Sequence, residues 1–327
     1  MNVLSLFDGM SCGRIALERA GMQVSKYYAS ELDKYAIKVT QANWPETIQL
    51  GDVTKWREWD IDWSSIDLLI GGSPCQGFSF AGKQLAFDDP RSKLFFVYSD
   101  ILTHIDAERD KAGKSEVKFL LENVKMKKDY LEIISDQLGV KPVFINSALV
   151  SAQNRQRYYW SNWDFEQPED KGIQLIDILE DEPFDKTIMS ERFTNRNKTA
   201  GCLRDDYNKD IKTTQRIEVR TGDKTNCLTS VQKDNYIVRS KSKCIRVGGV
   251  GSPPDSRQNW DNALESKVNY RKLTPIECER LQTVPGNYTN HVSNTQRYKM
   301  LGNGWTVDVI AHIFKGLITE PHPFHQG

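Results

Sequence analysis

The stretch Gly71-Gly72-Ser73-Pro74-Cys75-Gln76-Gly77 holds the residue best set for covalent chemistry. Pro74 fixes the entry of the chain into Cys75, and Gly71, Gly72 and Gly77 leave room for a substrate. A cysteine in that setting is a candidate nucleophile, reactive as its thiolate. The other cysteines (Cys12, Cys202, Cys227, Cys244 and Cys278) read as buried, inert thiols. Glu122-Asn123-Val124 closes an apolar run; its carboxylate suits either a helix cap or an acid–base partner for the thiol. In Gln153-Asn154-Arg155-Gln156-Arg157 two arginines stand at i and i+2, where an extended segment points both the same way. They read either as surface arginines or as a clamp on an anion or a base edge.

A second set lies near the N-terminus. Phe7-Asp8-Gly9-Met10-Ser11-Cys12-Gly13 separates a short apolar run from a helical pattern, the position at which doubly wound folds bind nucleotides. Glu31 follows at the next strand end, near the spacing of about 20 residues at which a carboxylate accepts ribose hydroxyls. Asp52 comes just after a third short run. The loop lacks G-x-G-x-x-G, and Asp8 would repel phosphates. An adenosyl cofactor without phosphate, carrying an ammonium and a sulfonium, fits better, and S-adenosylmethionine is the natural candidate.

The elements carrying these residues alternate. Apolar runs at 2–6, 26–31, 47–50, 67–72, 119–124 and 142–150 read as strands, with helical patterns after the first and second and at 92–108 and 128–138. That alternation predicts an α/β chain with a mostly parallel, doubly wound sheet covered on both faces. Residues 185–269 are rich in Asn, Lys, Thr, Asp and Gly and read as irregular strands and loops. Helical periodicity returns in TPIECERLQ and in WTVDVIAHIFKGLI.

Composition narrows the field. The 327 residues balance 44 basic against 44 acidic side chains, yet the balance is uneven along the chain. Between Arg192 and Arg246, 14 Lys and Arg face 6 Asp and Glu, a net of +8, and the remainder carries −8. An insert meeting phosphates beside a less basic body accounts for the asymmetry. No apolar run approaches the roughly 18 residues that span a bilayer, and the N-terminus lacks a signal peptide's basic region. The scattered cysteines form no C-x-x-C pair and no metal-ligand spacing, so neither a metal nor a disulfide framework is expected, and a cytoplasmic setting is.

Taken in order, FDGMSCG, Glu31, GDV (51–53), PCQ (74–76), ENV (122–124), QNRQR (153–157), RKLTPIECERLQTVP (271–285) and LGNGWTV (301–307) resemble the motif set of cytosine-5 DNA methyltransferases. The resemblance runs from residue 3 to about 318. It implies a Rossmann-like, S-adenosylmethionine-dependent methyltransferase fold: catalytic domain 1–184, target recognition domain 185–270, and 271–327 completing the first. It implies methyl transfer to carbon-5 of a cytosine flipped from double-stranded DNA, with S-adenosylhomocysteine as product and no metal. Residue by residue, Cys75 matches the nucleophile that adds to carbon-6. Glu122 matches the group that meets ring nitrogen-3 and the exocyclic amine. Arg157 would hold oxygen-2, and Arg155 would lie against the base or the thiolate. Asn123 would brace the Pro-Cys loop. The matching cofactor positions are Phe7, Asp8, Gly9, Met10, Ser11, Glu31, Asp52, Val53, Asn303, Gly304 and Trp305.

Two motifs depart from the bacterial pattern. FDGMSCG replaces F-x-G-x-G-G, and GNGW replaces GNS; both lie closer to the eukaryotic de novo branch. With no regulatory domain ahead of the first motif, a stand-alone prokaryotic or phage enzyme is expected, acting as a monomer. Two competing readings are an RNA cytosine-5 methyltransferase, whose C-F-T motif the chain lacks, and a silent DNA-binding regulator, which would be expected to have lost Cys75 or Glu122.

Overall fold

The computed structural model describes residues 1–73, 93–181, 186–189, 224–228, 236–240 and 267–318. The chain divides into two compact units. The larger comprises Met1–Ile178, Asp223–Gln232 and Pro275–Gly327; the smaller comprises Leu179–Gly222 and Lys233–Thr274.

In the larger unit the strands are β1 (Asn2–Leu6), β2 (Lys26–Ser30), β3 (Ile48–Gln49), β4 (Leu68–Gly71), β5 (Lys118–Val124), β6 (Val143–Asn146), β7 (Gln153–Asn154) and β8 (Gln156–Ser161). Seven of them form one sheet in the order β3-β2-β1-β4-β5-β8-β6. The first five positions in that order are parallel, and β8 runs antiparallel to both β5 and β6. Leu4, Leu6, Leu69, Ile70, Leu120 and Leu121 are fully buried, as expected of central strands covered on both faces, whose runs are continuously apolar. Helix α1 (Cys12–Arg19) follows β1, α2 (Lys34–Asn43) follows β2, α3 (Lys93–Lys111) precedes β5 and α4 (Lys128–Leu138) follows it. The spacing Phe95, Tyr98, Ile101, Leu102, Ile105 gives α3 the single apolar stripe that it lays on the core. The helix Val307–Lys315 packs against α1.

The structure corrects the sequence reading in three places. The run 142–150 is not one strand: β6 stops at Asn146, whose side chain accepts from the amides of Ala148 and Arg155 and turns the chain. Tyr158–Trp160 lie within a strand the apolar runs did not reveal, and β8 wedges antiparallel between β5 and β6. A helix at Asn294–Asn303, polar in sequence, was not legible either.

In the smaller unit β9 (Lys186–Met189), β11 (Tyr236–Ser240) and β12 (Lys267–Lys272) form an antiparallel sheet in the order β11-β12-β9. The strand β10 (Thr225–Asn226) belongs to the larger unit, where it pairs in parallel with β7.

Candidate active site

The carboxyl ends of β4 and β5 lie side by side, with Gly71 opposite Leu121. Beyond them Asn123 donates through Nδ2 to Oγ of Ser73 at 3.1 Å and to its carbonyl at 3.4 Å. It thereby ties the strand end to the segment that enters Pro74-Cys75. Cys75 itself lies outside the described residues.

Glu122 is only 8% exposed, and its position is explained by strand register. In the β5–β8 pair Glu122 faces Tyr159 and Val124 faces Arg157. That makes Glu122 and Arg157 diagonal neighbours on one face, within reach of a long side chain. Arg157 Nε stands 2.8 Å from Oε1 of Glu122. The other carboxylate oxygen accepts the Trp305 indole N–H at 3.1 Å.

Arg155, also buried, faces elsewhere. Its guanidinium donates to the carbonyls of Gly302 at 3.2 Å and Gly304 at 2.8 Å. These bonds hold the GNGW loop. The thiol that Arg155 meets among the described residues is that of Cys227, at 3.1 Å, which Arg157 approaches at 3.9 Å. Burial raises the Cys227 pKa, but the two guanidiniums outweigh it and hold the thiol below its ordinary range. Cys227 thus has two charged neighbours that the sequence did not reveal. No local signal marks it, because the arginines lie about 70 residues earlier. Cys12 fits the expectation of a buried, inert thiol, burial raising it to about 12.

A buried amide pair completes this end. Gln153 donates to the carbonyl of Leu281 at 2.6 Å and to Gln282 at 3.0 Å, and accepts from the amide of Leu228 at 3.3 Å. Gln282 in turn donates to the carbonyls of Leu301 at 2.6 Å and Gly304 at 3.3 Å, and accepts from Thr306 at 3.0 Å. These amides join three motif segments, and with full hydrogen bonding the buried network fixes one arrangement. Gln282 was not singled out in the sequence.

At the other end of the rim, Phe7, Gly9 and Ser11 take φ values of 57°, 59° and 61°. The left-handed conformation is uncommon for residues with a side chain, and strain of this kind gathers at binding sites. Glu31 holds the loop: Oε2 accepts the Gly9 amide at 2.8 Å, while Oε1 accepts those of Leu32 at 2.7 Å and Asp33 at 2.8 Å. The Asp8 carboxylate turns inward, accepting the Tyr27 hydroxyl at 2.7 Å and that of Ser11. Burial raises it to about 6, against the lowering effect of its hydroxyl partners Ser11, Ser5 and Tyr27. Asp8 thus braces the loop. Met10 is buried and its carbonyl accepts the Tyr288 hydroxyl at 2.8 Å.

Asp52 caps the turn Val53–Glu58 by accepting from Thr54 through its amide and hydroxyl, and these bonds lower its pKa. Val53 is buried behind it. Asn303 is exposed at the end of its helix, while Gly304 sits where a Cβ would press on Met300, Cys12 and Met10.

These residues fit an adenosyl group that lacks phosphate. A Cβ at Gly9 would meet nothing within 4 Å, so the loop is open there. Glu31 has oxygens able to accept further hydroxyls, and the acidic rim disfavours a phosphate. Among the described residues no cluster of His, Cys, Asp and Glu could hold a metal ion, and no helix is long and apolar enough to cross a membrane.

A family model described as C-5 cytosine-specific DNA methylase matches residues 1–319. The type II methyltransferase M1.ScrFI of Lactococcus lactis subsp. cremoris is 31% identical over 97% of this chain and 77% of its own length. The type II methyltransferase M.NlaX of Neisseria lactamica is 30% identical, covering 95% of this chain and 94% of that protein. Among solved structures, the Entamoeba histolytica methyltransferase EhMeth superposes with a TM-score of 0.65 at 18% identity, covering 97% of this chain and 98% of that one. That likeness is one of fold.

Proposed function

The chain belongs to the C-5 cytosine-specific DNA methylase family and is a DNA (cytosine-5)-methyltransferase, and from that premise we propose how its own residues carry the reaction. The target cytosine leaves the stack, since its ring is inaccessible inside a duplex. The Cys75 thiolate adds to carbon-6, which turns carbon-5 into a nucleophile. Glu122 passes a proton to ring nitrogen-3 and accepts from the exocyclic amine, neutralising the charge that addition places on the ring. Arg157 steadies Glu122 and offers a donor to oxygen-2. Arg155 acts at one remove, by fixing the GNGW loop. When bound, S-adenosylmethionine supplies an electrophilic sulfonium methyl group to carbon-5. A water takes the carbon-5 proton, the Cys75 thiolate departs, and nitrogen-3 returns its proton to Glu122, which restores the ring as 5-methylcytosine.

The cofactor would lie along Phe7–Ser11, with Glu31 accepting ribose hydroxyls, Asp52 and Val53 beside the base, and Asn303, Gly304 and Trp305 closing the far side. The basic insert, with residues 185–270 as target recognition domain, would follow the phosphates of duplex DNA. A monomer in the cytoplasm, serving restriction-modification or phage protection, fits this assignment. The observation that carries the reading is the buried Glu122 carboxylate, gripped by Arg157 and Trp305 beside the strand that leads to Cys75.

DNA containing 5-fluorocytosine tests it, because fluorine blocks loss of the carbon-5 substituent and strands the adduct. With S-adenosylmethionine present, the wild type is expected to form a denaturation-resistant complex linked through Cys75. Cys75→Ala should form none and lose turnover by on the order of 10⁴-fold or more, while still binding duplex DNA. A folded wild type that yields no adduct, or an adduct at another residue, overturns the assignment.

A further inference from the structure

Both oxygens of Glu122 are held, one by an ion pair and one by a hydrogen bond, and the two partners come from different parts of the chain. Arg157 Nε stands 2.8 Å from Oε1, a contact the β5–β8 register supplies. The Trp305 indole N–H, 3.1 Å from Oε2, is the second. An indole N–H only donates, so this contact requires an acceptor oxygen turned toward it and fixes the plane of the carboxylate.

Residue 72 makes room for that contact. A Cβ at Gly72 would stand 2.9 Å from Trp305 Nε1, closer than real Cβ atoms come, and 3.0 Å from Glu122 Oε2, tighter than most Cβ contacts. The tryptophan is itself pinned. The carbonyl before it, that of Gly304, accepts from Arg155 at 2.8 Å, and Thr306 after it donates to Gln282 at 3.0 Å. Its ring edge lies 3.5 Å from where a Cβ of Gly13 would be. The ring edge thus borders the first turn of α1, and the N–H reaches the carboxylate of β5.

We infer that Trp305 is a positioning residue for Glu122, setting the carboxylate for the cytosine through its indole N–H, with Gly72 as the gap that permits the bond. This rests on the methyltransferase reading above and gives Trp305 a task separate from walling the cofactor site. Fixing a reacting group in its productive geometry lowers the barrier without adding affinity for the methyl donor.

The test uses the full chain labelled with ¹⁵N-tryptophan, which carries 8 indoles. The signal missing from Trp305→Phe identifies that of Trp305. In the unliganded protein, Glu122→Ala is expected to move this signal upfield and quicken its exchange with solvent. Trp305→Phe, which keeps an aromatic wall but removes the donor, should lower kcat by about tenfold while the Kd for S-adenosylmethionine stays within about twofold. Gly72→Ala should reproduce the kcat loss by forcing the pair apart. The inference is overturned if Glu122→Ala leaves the Trp305 signal unmoved, or if Trp305→Phe keeps wild-type kcat. It is equally overturned if Trp305→Phe weakens donor binding alone. A wild type silent on cytosine DNA would instead strike the activity reading, and the indole signal would then decide the contact by itself.

Discussion

The two ends of the rim are built by different means. At the cofactor end, Glu31 reaches the amides of Leu32 and Asp33, one and two residues away, and that of Gly9, 22 residues away. At the catalytic end, Trp305 reaches Glu122 across 183 residues, Arg155 reaches Gly304 across 149, and Gln153 reaches Gln282 across 129. The loop at the first end is held mainly within one strand–loop–helix unit, with the Tyr288 hydroxyl on the Met10 carbonyl as its long-range tie. The second exists only once the last helices have returned to the sheet. Local contacts survive distant changes, whereas a network spanning the chain inherits the stability of the whole fold.

Three measurements would break or sharpen that contrast. The largest effect is expected at the catalytic end. Glu122→Gln keeps the shape but replaces the charge that Arg157 faces, and kcat should fall on the order of 10³-fold, within the usual range for an acid–base group. Steady-state kinetics with duplex DNA checks this, and a fall of only a few-fold would remove Glu122 from the chemistry.

Next in size is a stability effect at the cofactor end. The Asp8 carboxyl is raised by burial from 3.8 to about 6, so the folded protein binds its proton more tightly than the unfolded chain. Stability contributed by that proton is present below pH 3.8 and is lost as pH rises toward 6. The loss amounts to on the order of 2–3 kcal/mol. Urea unfolding across that range should show Asp8→Asn losing less stability than the wild type. Parallel curves would mean that Asp8 is not buried as described.

The smallest effect is expected at Glu31. Glu31→Gln leaves one oxygen for the work of two, and the Kd for S-adenosylmethionine should rise by about tenfold, read by calorimetry. Its kcat should stay near wild type. A matching loss of kcat would show that the two ends are not separate after all.

Much of the cofactor end was legible in the sequence, because its information is local. A short apolar run, a glycine-bearing turn, a helix and a carboxylate at the next strand end stand within about 30 residues of one another. The parallel strands were legible for the same reason, since burial on both faces demands continuous apolar runs such as Leu68–Gly71. The strand Gln156–Ser161 was not, because an arginine, a glutamine and three aromatics do not form such a run.

The sequence by itself determined which groups could react: a thiol, a carboxylate and two arginines, in an order that a family shares. It could not determine which group each would serve. Arg155 and Arg157 are two residues apart, yet one holds the carbonyls of Gly302 and Gly304 and the other grips Glu122. Cys227, grouped by type with inert thiols, sits between them. Only the tertiary structure decided these pairings. A hydrogen bond depends on distance in space, and the β5–β8 register and the return of the C-terminal helices set those distances.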